Sequence, residues 1–463
     1  MRPNSLHAVD IAHHVHQQTD LNDVAANGPV ILSRGEGVHV WDTEGKEYIE
    51  AMAGLWCASL GFSEKRLAEA AYKQLLTLPY YHTFFGKGHE PSARLAEKLT
   101  ALAPEGLNHV LFQCSGSEAN DAAIKMIWYT NNVLGRPNKK KLIGRIRGYH
   151  GNTVAAASLS GQPHMHADFD LPLTDRFLHI SNPNYYRFSN PGETEEAFSA
   201  RMAAELEALI EREGGETIAA FFAEPVQGGG GAITPPRGYF DLIQPILKKH
   251  DILFVADEVI CGFGRTGNMW GCDTYGIRPD ILTCAKQLTA AYQPLSATLI
   301  SDRIHDALME GSKRNGSFGH GFTYGAHPVA CVVALETLAI YEERDMVNHV
   351  RSVSPAFLEG LDALERHPLV GDARGVGLIA GVEIVADKAT REPFAPSRKA
   401  GLSVQKHCEA NGLIVRAIGD RIAFTPPLVI TRDEVAELLA RFRKGLDSAL
   451  AELGAAAPQV AAA

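Results

Sequence analysis

The chain has 463 residues, 45% apolar and 21% charged, values typical of a folded globular protein with room for two or three domains and a large core. Lysine and arginine total 44 against 54 aspartate and glutamate residues, so the formal net charge is −10 and the overall field repels nucleic acid and anionic lipid. Seven scattered cysteines fit a reducing compartment better than a disulfide framework, and the polar opening from Met1 to Asp20 lacks the apolar run of an export signal, so a cytoplasmic protein is expected.

At the N-terminus His13, His14 and His16 stand close to Asp10 and Asp20, but such spacing without a helix to align it is weak evidence for metal, and none is expected. From Glu64 to Leu78 the apolar residues Leu67, Ala71, Leu75 and Leu78 recur every three to four positions until Pro79, which predicts a helix. A second helix is predicted over Glu118 to Tyr129, with Ala119, Ala122, Ala123, Met126 and Ile127 on one face. Helices over Phe198 to Arg212 and Tyr239 to His250 alternate with short apolar runs at Ile218 to Ala223, Ile252 to Ala256 and Asp280 to Ala285, which read as buried strands. This alternation predicts an α/β fold with a mainly parallel sheet covered on both faces, whose ligands bind beyond the carboxyl ends of the strands. The apolar stretch Gly375 to Ala386 is too short to cross a bilayer and is interrupted by glycines and Glu383. Beyond Pro328 come a helix through Val332, Leu335, Leu338 and Ala339, another from Pro355 to Arg366, short strands, and a last helix from Asp433 to Leu453. The expected division is an N-terminal segment 1–60, a large domain 61–330, a smaller α+β domain 331–453, and a fraying alanine-rich tail 454–463.

Three features sit where such a sheet puts chemistry. Asp257 follows one buried run and Lys286 another, and Cys114, Ser115, Gly116, Ser117 and Glu118 precede a helix whose N-terminus favours an anion. The same Ser and Glu also fit an ordinary helix cap. Gly262, Gly264 and Gly267 spell a dinucleotide fingerprint, but a loop with no helical period follows them, so a tight turn is the better reading. A lysine desolvated at a strand end is a nucleophile toward an aldehyde, a nearby carboxylate holds a ring nitrogen protonated, and the cradle takes a phosphate. Those three handles together describe pyridoxal phosphate.

The segments CSGSEAND (Cys114 to Asp121), GYHGNT (Gly148 to Thr153), AEPVQGGGG (Ala223 to Gly231), DEVICGFGRTG (Asp257 to Gly267), CAKQLT (Cys284 to Thr289) and HGFTYGAHP (His320 to Pro328) resemble the class III aminotransferases of pyridoxal phosphate fold type I. Within that class the chain looks most like the pyruvate-dependent ω-amine transaminases, from about Gly35 to about Leu446. The resemblance implies a seven-stranded, mainly parallel sheet in the large domain. It also implies an N-terminal segment that joins the small domain and covers the active site. Lys286 is then the lysine that bonds the cofactor's aldehyde and shuttles a proton, and Asp257 the partner of the ring nitrogen. Val259, two residues past Asp257 on an extended segment, packs under the ring and Tyr149 stacks over it. Ser115, Gly116, Ser117, His150 and Phe322 complete the cofactor's surroundings with Glu224 behind them, while Thr323 reaches the phosphate of a neighbouring subunit in an obligatory homodimer, which two dimers could extend to a tetramer.

For substrates, the resemblance makes Arg416 the mobile cation that binds the keto acid's carboxylate and swings away for an apolar amine. Leu55, Trp56, Phe84 and Phe85 become apolar pocket walls. Relatives that use 2-oxoglutarate carry a Glu where Gly229 stands, which favours pyruvate as acceptor. Gln287, Ala291 and Gln293 depart from the common pattern and are expected to line or support the site mouth, as are Gly325 and Ala326. The expected reaction moves an amino group from a primary amine to pyruvate, giving L-alanine; β-alanine, taurine or putrescine as donor, or another class III reaction, are the alternatives.

Overall fold

The computed structural model describes residues 5–455. Its centre is a seven-stranded sheet in the spatial order Leu107–Gln113, Ser296–Ser301, Ile281–Cys284, Leu253–Asp257, Ile218–Ala223, Lys141–Arg145 and Phe177–Ile180. Ser296–Ser301 runs antiparallel to both its neighbours, and every other pairing is parallel. The continuous apolar runs form strands here because both faces of the sheet are covered. Successive side chains enter opposite cores: Phe221 and Phe254 pack with the helices Glu195–Glu213 and Tyr239–Lys249, whereas Phe222 and Val255 pack with the helix Gly116–Val133.

The helix expected over Glu64 to Leu78 is Lys65–Thr77, capped by the Glu64 carboxylate. Strand ends differ by a residue: Asp257 belongs to its strand, while Asp280 and Ala285 flank Ile281–Cys284. Two helix boundaries shift further. The helix expected over Glu118 to Tyr129 runs over Gly116–Val133, and the one expected from Pro355 runs over Met346–Leu364 with the proline inside it. Val350, Val353, Phe357, Leu361 and Leu364 form one buried face across that proline, and their burial offsets the missing backbone hydrogen bond.

The C-terminal part builds an antiparallel sheet from Val370–Val376, Ile379–Ile384, Arg421–Phe424 and Arg416–Ala417, so the stretch Gly375 to Ala386 is mostly a hairpin. Near the N-terminus Leu32–Glu36, His39–Asp42 and Glu47–Glu50 form a third sheet that Leu413–Ile414 joins in parallel, so distant parts of the chain share one sheet. The last helix is Arg432–Ala455; residues 454 and 455 of the expected tail belong to it, and the rest of that tail lies outside the described residues. Among the described residues no helix is long and apolar enough to cross a membrane, and all seven cysteines are free.

Candidate active site

Asp257 sits at the carboxyl end of the central strand and is 3% exposed. Its Oδ2 accepts hydrogen bonds from Asn120 Nδ2 at 2.9 Å and His150 Nδ1 at 2.8 Å, and its Oδ1 accepts from the Val259 N–H at 3.2 Å. Asn120 comes from the second turn of Gly116–Val133 and also donates to the His150 carbonyl, while its own Oδ1 accepts from Thr283 Oγ1 on the adjacent strand. The carboxylate is thus fixed from a helix, a loop and its own chain. Burial disfavours the His150 imidazolium, but Glu224 and Asp257 outweigh it and raise the pKa. His150 Nε2 has no hydrogen-bond partner among the described residues.

Glu224 is buried beyond the strand Ile218–Ala223. Its Oε2 accepts from Arg145 Nη2 at 3.1 Å and its Oε1 from the Tyr149 N–H at 2.9 Å, so it locates the Tyr149 backbone from behind. On the other side a Cβ at Gly229 would lie 2.7 Å from Tyr149 Cβ, so any larger residue there must displace Tyr149. The Tyr149 hydroxyl accepts from Asn152 Nδ2 at 3.1 Å.

Lys286 opens a single 3-10 turn after Ile281–Cys284, with φ +49°, a left-handed conformation that costs a non-glycine residue roughly 1–2 kcal/mol. Burial lowers its pKa, Cys57 and Asp257 oppose the shift, and Arg416 adds to it. Lys286 Nζ has no hydrogen-bond partner among the described residues, which leaves its lone pair available once deprotonated. Arg416 stands half-buried in the short strand Arg416–Ala417; burial lowers its pKa and Tyr149 counters that.

The cradle combines both readings of its sequence. Ser115 Oγ accepts from the Glu118 N–H at 3.2 Å, and Glu118 Oε2 accepts from the Ser115 N–H at 3.0 Å, a complete capping box. The Gly116 and Ser117 N–H groups have no acceptor among the described residues, which leaves them available to an anion. A Cβ at Gly116 would lie 3.2 Å from the Val259 methyls, and one at Gly151, where φ is +135°, would lie 2.6 Å from Ser117 Oγ. Small residues therefore keep space open beside Val259 and Ser117. Val259 meets that space from a turn, since the chain leaves extended geometry directly after Asp257.

Not every expected residue converges there. Trp56 is buried beside Gly228, but Leu55 is 57% exposed. Phe84 packs near Gly321, Phe85 is 89% exposed, and the Thr323 carbonyl accepts from Tyr80 Oη at 2.7 Å, with Phe322 packed against His320. No described hydrogen bond or ring contact links this group to Asp257 or Lys286. Gln287 faces away from the mouth: its Nε2 donates to the Ile260 and Gly262 carbonyls at 2.8 Å and tethers the glycine turn. That turn is followed by the short helix Gly271–Tyr275, whose first N–H groups are capped by Glu258, so the second carboxylate after the strand has a structural partner. The N-terminal histidines gather more than their spacing implied, since Asp10, His14 and His16 bring ligand atoms within 4.8 Å of one another and His13 stays apart.

Asn120, Thr283 and Arg145 escaped the sequence reading. Asn120 lies inside the quoted CSGSEAND segment, which was the available signal; Thr283 and Arg145 look like ordinary strand residues.

A family model described as Aminotransferase class-III matches residues 22–446. The chain belongs to this family. As a class III aminotransferase it is a pyridoxal-phosphate-dependent enzyme. It is 49% identical to γ-aminobutyrate transaminase 1, mitochondrial, of Solanum lycopersicum over 93% of this chain and 82% of the relative. A thermostable 4-fold mutant of the omega transaminase from Pseudomonas jessenii is also 49% identical, with a TM-score of 0.96 over 97% of this chain and 100% of that one. The Pseudomonas jessenii omega transaminase in complex with PMP gives a TM-score of 0.96 over 98% of this chain and 100% of that one, at 49% identity. The aminotransferase keeps the fold type I architecture: the mixed seven-stranded sheet with its helices and a smaller domain.

Proposed function

We propose that this aminotransferase moves the amino group of a primary amine to pyruvate, and that Arg416 is the acceptor's carboxylate anchor. The observation that carries this reading is a half-buried guanidinium, without a protein partner among the described residues, electrostatically coupled to both Tyr149 and Lys286. A cation left open beside the reactive lysine suits a substrate carboxylate and can turn away when the substrate has none. The names of solved neighbours support the amine reading, including one described as a transaminase with L-ala, 50% identical with a TM-score of 0.90. The curated relatives' names favour γ-aminobutyrate as a donor, and its remote carboxylate fits the same cation.

The free N–H groups of Gly116 and Ser117 and the Ser117 hydroxyl would hold the cofactor's phosphate, Asp257 its ring nitrogen, and Val259 and Tyr149 its two faces. The bound group supplies an electron-withdrawing ring that makes the proton on the amine's carbon acidic. Lys286, whose burial favours the neutral amine, would bond the group's aldehyde and, once released by the substrate amine, would take up that proton at Nζ. Three hydrogen-bond donors hold the Asp257 carboxylate in place, and it would pair with the group's ring nitrogen.

The exposed apolar residues Tyr72, Leu75, Leu76, Phe85 and Tyr324 support a homodimer in which Phe84, Phe85 and Thr323 complete the neighbouring site. The division into a cofactor-binding part 61–330 and a C-terminal part bearing Arg416 belongs to the same reading, and the seven free cysteines support a cytoplasmic setting. Alanine formation from pyruvate, measured with phenylethylamine enantiomers, γ-aminobutyrate, β-alanine, taurine and putrescine as donors, tests the proposal. Turnover with 2-oxoglutarate and none with pyruvate sinks it.

A further inference from the structure

A cavity of about 1510 Å³ lies away from the catalytic group and is lined by none of Asp257, Lys286, Tyr149 or Arg416. Its walls come from the segment around Tyr185 to Glu195, from Arg147, and from Arg391, Lys399 and Arg421 of the C-terminal part. Six cationic side chains line it (Arg147, Arg187, Arg237, Arg391, Lys399 and Arg421) against four anionic ones (Glu193, Glu195, Glu383 and Asp420). That local excess of positive charge stands out in a chain of net charge −10.

The cavity wall carries a charge left over. Arg421 is 8% exposed and lies directly opposite Glu383 in the antiparallel ladder. Glu383 is already engaged: Oε1 accepts from Asn184 Nδ2 at 3.2 Å and Arg374 Nη2 at 3.0 Å, and Oε2 from Arg187 Nε at 2.8 Å. Arg374 is shared with Asp372 through a 2.6 Å bond. Four guanidiniums, those of Arg147, Arg187, Arg374 and Arg421, thus act on one another and on two carboxylates. The Arg421 guanidinium has no hydrogen bond or ion pair among the described residues, and neither has that of Arg147. A buried, unpaired guanidinium is costly, and the cost is relieved when an oxyanion fills its fork.

We infer that this cavity is a second ligand site, which binds a small polyanion through phosphate or carboxylate oxygens held between Arg147 and Arg421. Burial and the neighbouring arginines pull the Arg421 pKa down to about 10, which leaves it charged at neutral pH and ready for an anion.

The test titrates full-length holoenzyme calorimetrically with pyrophosphate and, separately, with citrate, while the cofactor's absorbance is followed. One ligand per chain is expected, with the cofactor band unchanged and binding weakened about tenfold or more by Arg421→Met and by Arg147→Met. Tighter pyrophosphate binding assigns the site to phosphates and tighter citrate binding to carboxylates; either supports the inference. Absence of saturable binding with both probes overturns it, as does undiminished binding in the variants or displacement of the cofactor. Should Arg421→Met not fold, the half-buried Arg147→Met decides alone, because unchanged affinity there removes the site.

Discussion

Truncating Arg416 separates the two halves of the proposed reaction. The side chain makes no hydrogen bond or ion pair to the protein among the described residues, so Arg416→Ala breaks neither and its main effect should fall on the substrate carboxylate. A charge-assisted hydrogen bond contributes roughly 1.5–3 kcal/mol. Its loss corresponds to a fall of about 10- to 150-fold in kcat/KM for pyruvate, since ~1.4 kcal/mol is a factor of ten. A short aldehyde such as propanal, which offers no carboxylate, should lose less than about threefold, and the melting temperature should stay within a degree or two. The assay is steady-state turnover of one phenylethylamine enantiomer with each acceptor in turn, on wild type and variant. Equal losses with pyruvate and aldehyde would refute the assignment, because no carboxylate-specific interaction would have been removed.

Lys286→Ala should retain the fold and the bound cofactor's phosphate contacts but resist borohydride trapping and lose transamination by several orders of magnitude; trapping on another lysine would remove Lys286 from the reaction. Gly229→Glu should lower activity with every amine, because its Cβ must displace Tyr149 from 2.7 Å; wild-type rates with all donors would mean that Tyr149 does not shape the site. Three buried groups contribute to the pH dependence of apoprotein stability with the same sign. Burial pushes Glu50 up to about 8 and Glu258 up to about 7, so between about pH 5 and 8 the folded chain keeps protons that the unfolded chain releases. His150, also raised, acts in the same direction, its contribution being lost as pH rises through its folded pKa. From pH 5.5 to pH 8 the change in urea midpoint should therefore be more negative in wild type than in Glu50→Gln or Glu258→Gln, and equal changes contradict the assigned burial.

Much of the large domain is legible in one dimension because its signals are local. Short continuous apolar runs such as Ile218–Ala223 between helices read as strands covered on both faces, and Ser115 with Glu118 signals a helix start, although the helix begins at Gly116, two residues before the expected position. Asp257 and Lys286 declare themselves by following such runs. Local signals failed where burial overrode them: Pro355 reads as a first-turn residue until five apolar positions on both sides of it are seen to share one buried face. Gln287 likewise looks like a pocket residue until its amide is found on the carbonyls of the glycine turn.

Sequence alone determined the types of group available, a lysine and a carboxylate at strand ends and a small-residue helix start, because each depends on a residue and its immediate strand or helix end. Only the tertiary structure decided what those groups feel. Asn120 reaches Asp257 across 137 positions of chain, Glu224 fixes Tyr149 across 75, and Arg421 loses Glu383 to two arginines from elsewhere. Hydrogen bonds and charges act over a few ångströms of space, and no spacing along the chain states which distant side chains will share them.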